Sequence, residues 1–263
     1  MASPKAHLQD LLLSLYRRTR QSRFLRSPLG RRLFENAYLA YKVLLEAGPI
    51  GQLQTFVAPG SCAIDVGANI GMFTMRFAHW VGEHGHVIAI EPEAQNFASL
   101  RRRIDASNHA RRISAIQAVA AETAGVLYLD VNPDHPGDHK LGKAGVPTAA
   151  VMLDGILAEH GYPLVSLIKI DVQGAEMRVL AGATHVLARC RPALFLEVDD
   201  AALRRQGASA KELFGHLAGL GYRAYRLRRF GPAQTIAATD IDTGNYQDVL
   251  FLNDQASDQS KAP

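Results

Sequence analysis

Residues 60 to 74 read Gly-Ser-Cys-Ala-Ile-Asp-Val-Gly-Ala-Asn-Ile-Gly-Met-Phe-Thr, and this stretch decides the fold. The apolar run at residues 62 to 66 predicts a buried strand, because turn-forming residues precede and follow it. Small residues then predict a tight turn, and residues 71 to 80 have the pattern of a helix. A turn between a strand and a helix lies at the edge where open α/β sheets bind ligands.

Short apolar runs continue to alternate with helical segments along the chain, which predicts a sheet with helices on both faces. The predicted strands are residues 62–66, 86–90, 113–118, 165–170, 193–198, 222–227 and 246–252. The predicted helices are 71–80, a segment through Phe97 and Ile104, a helix capped by Asp154, 175–188 and 209–220. Residues 125–130 predict an extra strand, and residues 131–147 predict a loop.

The last two strands are joined by a connection too short for a helical crossover, so we expect them to pair antiparallel. We therefore predict an α/β fold with a Rossmann-like, seven-stranded sheet that is mostly parallel and ends in an antiparallel C-terminal strand. This ending departs from the all-parallel dinucleotide fold and is typical of a methyltransferase sheet. N-terminal helices are expected to precede it.

Residues 1 to 50 form a basic extension with nine Lys or Arg and three acids. Leucines at helical spacing between Leu8 and Leu15, and a second amphipathic stretch at residues 33–45, predict two or three helices. An arginine-rich stretch of this kind is typical of a solvated helix face, and it can also contact anionic lipid or a glycosyltransferase. We divide the chain into this extension, a cofactor-binding domain at 51–254 and a flexible tail at 255–263.

Composition limits the class of protein. Apolar residues make up 48% of the 263 residues, which is enough for a buried core. No run of about 18 apolar residues occurs, and the start lacks the apolar core of a secretory signal. Cys62 and Cys190 both lie in apolar contexts, which argues against a disulfide framework. We expect a cytoplasmic protein, with peripheral membrane contact through residues 1–50 as an alternative.

The turn after the first strand limits which cofactor the site can bind. A dinucleotide fingerprint that starts at Gly67 requires glycine at the positions of Asn69 and Met72. With no pyrophosphate to seat, the loop can face the amino acid end of S-adenosylmethionine, and Asp65 is placed for its amino group. Gly67 and Gly71 allow close approach of the backbone, although these glycines alone do not distinguish a dehydrogenase from a methyltransferase.

Glu91 ends the second strand twenty residues after Gly71. A carboxylate at that position can accept hydrogen bonds from both hydroxyls of a ribose. The same spacing occurs in nucleotide dehydrogenases, and an acid before Pro92 can also be an ordinary helix start. Glu91 therefore indicates a ribose without identifying the cofactor.

Four ordered blocks resemble the FkbM family of methyltransferases, whose pattern includes Asp-Val-Gly-Ala-Asn-x-Gly, Glu-Pro, Leu-Asp and Ile-Asp-Val-Glu-Gly. Here the blocks are residues 65–71, Glu91-Pro92, Leu153-Asp154 and residues 168–176, and they span roughly residues 55 to 200. The resemblance implies S-adenosylmethionine and O-methylation of a hydroxyl on a sugar, glycan or polyketide-type natural product. Gln173 departs from the pattern, which usually has Glu there. That acid either holds a metal or substrate, or caps the next helix.

The candidate cofactor-binding residues come from these blocks and from the ends of the strands. They are Asp65, Gly67, Ala68, Asn69, Gly71, Phe73, Thr74, Glu91, Pro92, Val119 and Asp171. A divalent metal is an alternative without a supporting ligand cluster, so no metal ligand is assigned.

A hydroxyl acceptor needs a base to take its proton during methyl transfer. His139, in a polar loop beside Asp138, is our preferred base, and a solvated loop with incidental histidines is the alternative. Asp171 and Glu197 end the fourth and fifth strands, at the edge where such sheets place their sites. Either carboxylate can be the base or an oxygen ligand for a metal.

Two rival functions remain. A nucleic-acid methyltransferase is disfavoured, because the chain lacks an Asn-Pro-Pro-Tyr or Asp-Pro-Pro-Tyr segment and a basic surface interleaved with aromatics, so no nucleic-acid partner is expected. The second rival is a catalytically weak, methyltransferase-like module that residues 1–50 recruit to a glycan-synthesis or membrane-associated complex. Binding of S-adenosylmethionine distinguishes an enzyme from a module that has lost its cofactor.

Overall fold

The computed structural model describes Gly30 and residues 50–132, 139–228, 233–242 and 245–253. Its strands, in chain order, are β1 (Cys62–Val66), β2 (His86–Ile90), β3 (Ile113–Ile116), β4 (Val119–Ala120), β5 (Gly125–Asp130), β6 (Lys140–Gly142), β7 (Val146–Val151), β8 (Val165–Ile170), β9 (Ala193–Val198), β10 (Tyr222–Arg226), β11 (Gln234–Thr235) and β12 (Gln247–Asn253). Its α-helices of known bounds are α1 (Met72–Trp80), α2 (Ala94–Asp105), α3 (Leu153–Glu159), α4 (Glu176–Ala181), α5 (Thr184–Cys190), α6 (Asp200–Arg205) and α7 (Ala210–Gly219). Short 3-10 helices lie at Gly51–Phe56, Ala110–Arg112 and Ala238–Asp240.

Eight strands form the main sheet, in the order β11-β10-β12-β9-β8-β1-β2-β3. The five strands from β9 to β3 are parallel to their neighbours, whereas β12 pairs antiparallel with both β9 and β10. The predicted fold class and the antiparallel ending are confirmed. The count differs from seven because β11 adds a two-residue edge strand.

The register of the central strands positions the site. Val66 at the end of β1 pairs with Ile90 at the end of β2 and with Ile170 at the end of β8. Because these parallel strands end level with one another, the residues that follow them meet at one edge of the sheet. Gly67, Glu91 and Asp171 are those residues.

The main sheet separates two hydrophobic clusters. Ile64 and Val66 of β1 belong to the cluster that contains residues of α3, α5 and α7. Ala63 belongs to the opposite cluster, which contains Phe77 of α1 and Leu100 of α2. Since successive side chains of a strand point to opposite faces, both faces of β1 are apolar and covered by helices.

A second sheet takes up part of the loop predicted at residues 131–147. It has four strands in the order β4-β7-β5-β6 and uses residues 140–142 and 146–151 as strands. The prediction of a loop was wrong at residues 140–142 and 146–147, because β6 is short and Gly145 and Pro147 interrupt the strand pattern. The predicted third strand also ends earlier, at Ile116, and Val119 and Ala120 pair with β7 instead.

Two helix predictions need correction. The predicted helix 175–188 is divided into α4 and α5 at Gly182, whose Cα lies so close to Ala121 that an added Cβ would be 2.1 Å from that backbone oxygen. Asp154 does not cap its own helix, which has Met152 at its N-cap. Its carboxylate instead accepts hydrogen bonds from the backbone N–H groups of His185 and Val186, at the start of α5.

Several predictions lie outside the described residues: the helices expected within residues 1–29 and 31–49, the tail at 255–263, and Asp138. Both cysteines are free thiols. None of the helices in the described part of the chain combines the length and apolar character that crossing a bilayer requires.

The contact at Gly182 gives a test of the fold. Gly182→Ala should lower the free energy of unfolding by about 1 to 3 kcal/mol, because the new methyl group must push Ala121 and α4 apart. Gly215→Ala in α7 is the matched control, since nothing lies within 4 Å of its added Cβ and it should stabilise the helix by about 0.5 to 1 kcal/mol. Urea unfolding measures both, and equal effects would contradict the close packing at Gly182.

Candidate active site

A cavity opens where β1, β2 and β8 end, between the main sheet and the second sheet. Its walls combine the loops after these strands with side chains from the second sheet. The lining residues are Val66, Gly67, Asn69, Ile90, Glu91, Pro92, Asn96, Ala118, Val119, Ala120, Leu129, His139, Leu141, Asp171, Val172, Gln173 and Ala175. The cavity therefore has an apolar lining with a few polar groups, which is typical of small-molecule sites.

The loop after β1 holds Glu91 in place. Asn69 has a left-handed backbone with φ of 51°, a conformation that asparagine adopts more readily than most residues. Its side-chain oxygen accepts a hydrogen bond from the Ile70 N–H at 2.7 Å, and its own N–H donates to Glu91 Oε2 at 2.7 Å. Asn69 thus forms the turn in place of the second glycine of the dinucleotide fingerprint. Its backbone N–H also holds the carboxylate of Glu91.

Glu91 is a buried carboxyl group with unusual protonation. Its Oε1 accepts from the Glu93 N–H at 3.0 Å, and its Oε2 accepts from Asn69. Burial raises the pKa of Glu91 to about 7, although these two N–H groups favour the ionised form. Two carboxylate oxygens at the cavity wall remain suited to a vicinal diol, since each oxygen can accept more than one hydrogen bond.

Lys169 lies under the glycine turn. Its Nζ donates to the carbonyl oxygens of Gly67 at 2.7 Å and Val66 at 3.3 Å. The same ammonium lies 3.4 Å from Asp65 Oδ1 and 3.6 Å from Asp171 Oδ2, and its side chain is 5% exposed. A single buried cation therefore joins the ends of β1 and β8.

The structure divides the predicted cofactor residues into two groups. Those that line the cavity are Gly67, Asn69, Glu91, Pro92, Val119 and Asp171. Those that lie elsewhere around the loop are Asp65, Ala68, Gly71, Phe73 and Thr74. In the second group, Ala68 and Gly71 belong to the loop itself, whereas Asp65 lies in β1 and Phe73 and Thr74 lie in α1.

Asp65 departs from its expected role at the cofactor's amino group. Its carboxylate is fully buried, and Oδ2 accepts a hydrogen bond from Thr74 Oγ1 at 2.6 Å. Phe73 packs on Phe195 with ring centroids 5.9 Å apart, and the Lys169 Nζ lies 5.4 Å from the Phe73 centroid. These residues hold α1 against the sheet beneath the loop.

Gln173 brings the two predicted carboxylates together. Its Nε2 donates to Asp171 Oδ1 at 3.2 Å and to Glu197 Oε1 at 2.8 Å. Asp171 and Gln173 line the cavity, and Glu197 joins them through this amide. Glu176 fixes the turn before α4, because its Oε1 accepts from the backbone N–H groups of Gly174 at 3.1 Å and Val172 at 3.4 Å, and no side chain caps α4 itself.

His139 also lines the cavity, from the opposite wall. Its Nδ1 accepts a hydrogen bond from the Asn132 N–H at 3.1 Å. In the neutral ring, the proton must then be on Nε2, because the lone pair of Nδ1 is already used. The neutral imidazole thus presents a donor rather than a base at Nε2.

Sequence reasoning missed Lys169 and the second-sheet residues Leu129 and Leu141. A signal for Lys169 was available, because a lysine inside the apolar run 165–170 cannot remain buried without partners. No comparable signal marked the two leucines, which are ordinary alternating residues of short strands. Within the described residues, no group of three or more His, Cys, Asp or Glu side chains is arranged to hold a metal ion.

The arrangement suits a nucleoside ligand at the edge of a methyltransferase-type α/β sheet. Gly67 leaves the turn without a side chain, Glu91 offers a buried carboxyl group, and apolar residues lie around Val119. The carboxyl groups of Asp65, Asp171 and Glu197 near the ammonium of Lys169 suit a ligand with positive charge such as a sulfonium.

Comparisons with known proteins agree with this geometry. The family model of the methyltransferase FkbM domain matches residues 65–224, which is more than half of the chain. The chain therefore belongs to the FkbM methyltransferase family. Family membership and the nucleoside-binding geometry support S-adenosylmethionine as the cofactor, as the sequence predicts.

Individual relatives match part of the chain. The 31-O-demethyl-FK506 methyltransferase FkbM of Streptomyces tacrolimicus is 34% identical over 158 residues, covering 47% of this chain and 60% of the relative. The hexuronic acid methyltransferase AglP of Haloferax volcanii is 28% identical over 125 residues, covering 47% of this chain and 50% of the relative. A crystal structure of an FkbM methyltransferase from Methylobacillus flagellatus aligns with a TM-score of 0.49 and 16% identity, covering 93% of this chain and 58% of that one.

The raised pKa of Glu91 predicts that cofactor binding depends on pH. Two ribose hydroxyls donate best to an ionised carboxylate, so affinity should rise with pH through about 7 and then level off. Well below that pH, affinity should fall by up to about tenfold per pH unit. Calorimetric titration with S-adenosylhomocysteine measures the effect. Glu91→Gln should bind weakly without this dependence, and equal wild-type affinity at acidic and alkaline pH would contradict the role.

The buried carboxyl group of Glu176 leads us to expect that the stability of the protein also depends on pH. Burial raises its pKa to about 7, above the ordinary value of 4.5. Its stabilising contribution is therefore complete below the ordinary pKa and is lost as pH rises through about 7. Glu176→Gln keeps the accepting oxygen without the charge, so it should gain stability relative to wild type as pH rises. Urea unfolding across this range checks it, with exposed Glu83→Gln as control. A constant difference would reject the assignment.

Proposed function

We propose that the protein is an S-adenosylmethionine-dependent O-methyltransferase that acts on a hydroxyl of a sugar, glycan or polyketide-type natural product. The observation that carries the proposal is the position of Asp171, which lines the cavity directly beside the glycine turn. When bound, S-adenosylmethionine supplies a sulfonium methyl group that is already electrophilic. The chain must then align a hydroxyl oxygen behind that methyl group and accept the hydroxyl's proton.

Asp171 is the group best placed to accept that proton. One of its oxygens lies 3.6 Å from Lys169 Nζ, and the other accepts from Gln173. These contacts orient the carboxylate at the end of β8, and its side chain is 29% exposed toward the cavity edge. Glu197 lies behind Gln173 and is not among the lining residues, so we assign it a supporting role.

His139 takes a different role from the base predicted from the sequence. Because the Asn132 N–H donates to Nδ1, the neutral ring offers an N–H donor at Nε2. We assign His139 to hold the acceptor or the cofactor through that donor. The proton from the hydroxyl then goes to Asp171.

The class of acceptor is supported by the relatives. One relative is named for methylating 31-O-demethyl-FK506 and another for methylating a hexuronic acid. Both names describe oxygen-rich small molecules or sugar units. The polar groups of His139 and Asp171, on facing walls of the cavity, suit a hydroxyl between them.

The alternative is a catalytically weak module that the basic residues 1–50 recruit to a glycan-synthesis or membrane-associated complex, in the cytoplasm or at a membrane surface. The arginines between Asp10 and Glu35 favour this alternative. Calorimetric titration with S-adenosylmethionine separates the two, since a module that has lost its cofactor gives no binding. The acceptor is found by searching extracts, made with and without the protein, for a mass increase of one CH2 group.

Removing the proposed base should separate chemistry from binding. Asp171→Asn should lower methyl transfer to that acceptor by about a hundredfold or more, because the amide cannot accept the proton. Affinity for S-adenosylhomocysteine should change by only about a few-fold, since the amide keeps the shape of the wall. Asp105→Asn is the control, because Asp105 is exposed and pairs only loosely with Arg101, at 3.7 Å. Wild-type turnover in Asp171→Asn would reject the base.

A further inference from the structure

The turn after β8 forces Gln173 into an unusual backbone. Gln173 has φ of 55° and Gly174 has φ of 103°. Gly174 is required there, since an added Cβ would lie 2.4 Å from the backbone oxygen of Ala202. A glutamine in the left-handed region costs roughly 1 kcal/mol or more in backbone strain, and favourable contacts of its side chain can offset this cost.

The side chain of Gln173 uses both of its amide hydrogens on carboxylates. Nε2 lies 3.2 Å from Asp171 Oδ1 and 2.8 Å from Glu197 Oε1, and a primary amide nitrogen carries two hydrogens. Asp171 follows β8 and Glu197 lies near the end of β9, which are neighbouring parallel strands. Two like charges drawn to one point repel each other unless a donor or a cation lies between them.

The simplest alternative, that Gln173 caps the following helix, does not fit the contacts. Helix α4 has Ala175 at its N-cap and no side-chain hydrogen bond to the cap. The amide of Gln173 instead donates to the carboxylates of Asp171 and Glu197.

We propose that Gln173 is a positioning residue whose amide takes the place of a divalent cation between Asp171 and Glu197. The amide is uncharged, so it positions Asp171 at the cavity wall through a hydrogen bond rather than through a charge. A glutamate at position 173 would bring a third carboxylate to the same point, and three carboxylate oxygens attract a hard divalent cation. The catalytic consequence of this positioning rests on the proposed function, whereas the exchange of amide for cation does not.

Manganese binding tests the exchange without any acceptor. We would titrate MnCl2 into the full chain and into Gln173→Glu by calorimetry. The variant should bind Mn²⁺ at least about tenfold more tightly than wild type, and Glu197→Gln in the variant background should remove the gain. Equal affinity in wild type and Gln173→Glu would overturn the proposal. So would tight wild-type binding that Asp171→Asn abolishes.

Gln173→Gly tests the effect of the Gln173 side chain separately from the effect of its backbone conformation. Glycine relieves the left-handed strain, so the variant should unfold at the same temperature as wild type or higher. It should bind S-adenosylhomocysteine normally, and kcat for the acceptor should fall without a matching change in KM. Wild-type kcat in Gln173→Gly would overturn the positioning role. A wild type that methylates no acceptor would instead count against the proposed function, and the manganese titration would still decide the exchange.

Discussion

The site depends on the contacts that one buried ammonium group makes, that of Lys169. It ties the carbonyl oxygens of Val66 and Gly67 to the carboxylates of Asp65 and Asp171, and it does so at 5% exposure. Removing one partner of such a cluster leaves an uncompensated buried charge, which typically costs about 3 to 5 kcal/mol. Lys169 therefore reinforces the backbone pairing of β1 with β8, including the Asp171 N–H to Val66 oxygen bond of 3.1 Å, in holding the glycine turn beside Asp171.

The charge of Lys169 also shapes the ligand preference. It balances one of the two carboxylates beside it, and Gln173 links Asp171 to a further carboxylate at Glu197. Such an excess of carboxylates favours a cationic ligand over a pyrophosphate. The charge of the folded site thus agrees with the sequence at Asn69 and Met72, which departs from the dinucleotide fingerprint.

The sequence predicted the cofactor half of the site better than the acceptor half. Gly67, Asn69 and Glu91 follow parallel strands, and strand ends meet by the rules of the fold, so local patterns sufficed. Leu129 and His139 reach the cavity through the second sheet, whose short strands carry little periodicity. Asp65 lies beneath the loop instead of at the cavity, because its buried carboxylate accepts from Thr74 and lies 3.4 Å from the ammonium of Lys169.

The contacts of His139 explain why we propose a different base from the one predicted. Residue type favoured His139, since imidazole is a common general base, but its Nδ1 already accepts a hydrogen bond from the backbone N–H of Asn132. Asp171 accepts a hydrogen bond from Gln173 and lies 3.6 Å from the ammonium of Lys169, so its carboxylate is oriented at the cavity wall. A donor on one wall and an acceptor on the other are the two polar functions that a hydroxyl group requires. The hydrogen-bond directions, rather than the residue types, therefore assign the roles.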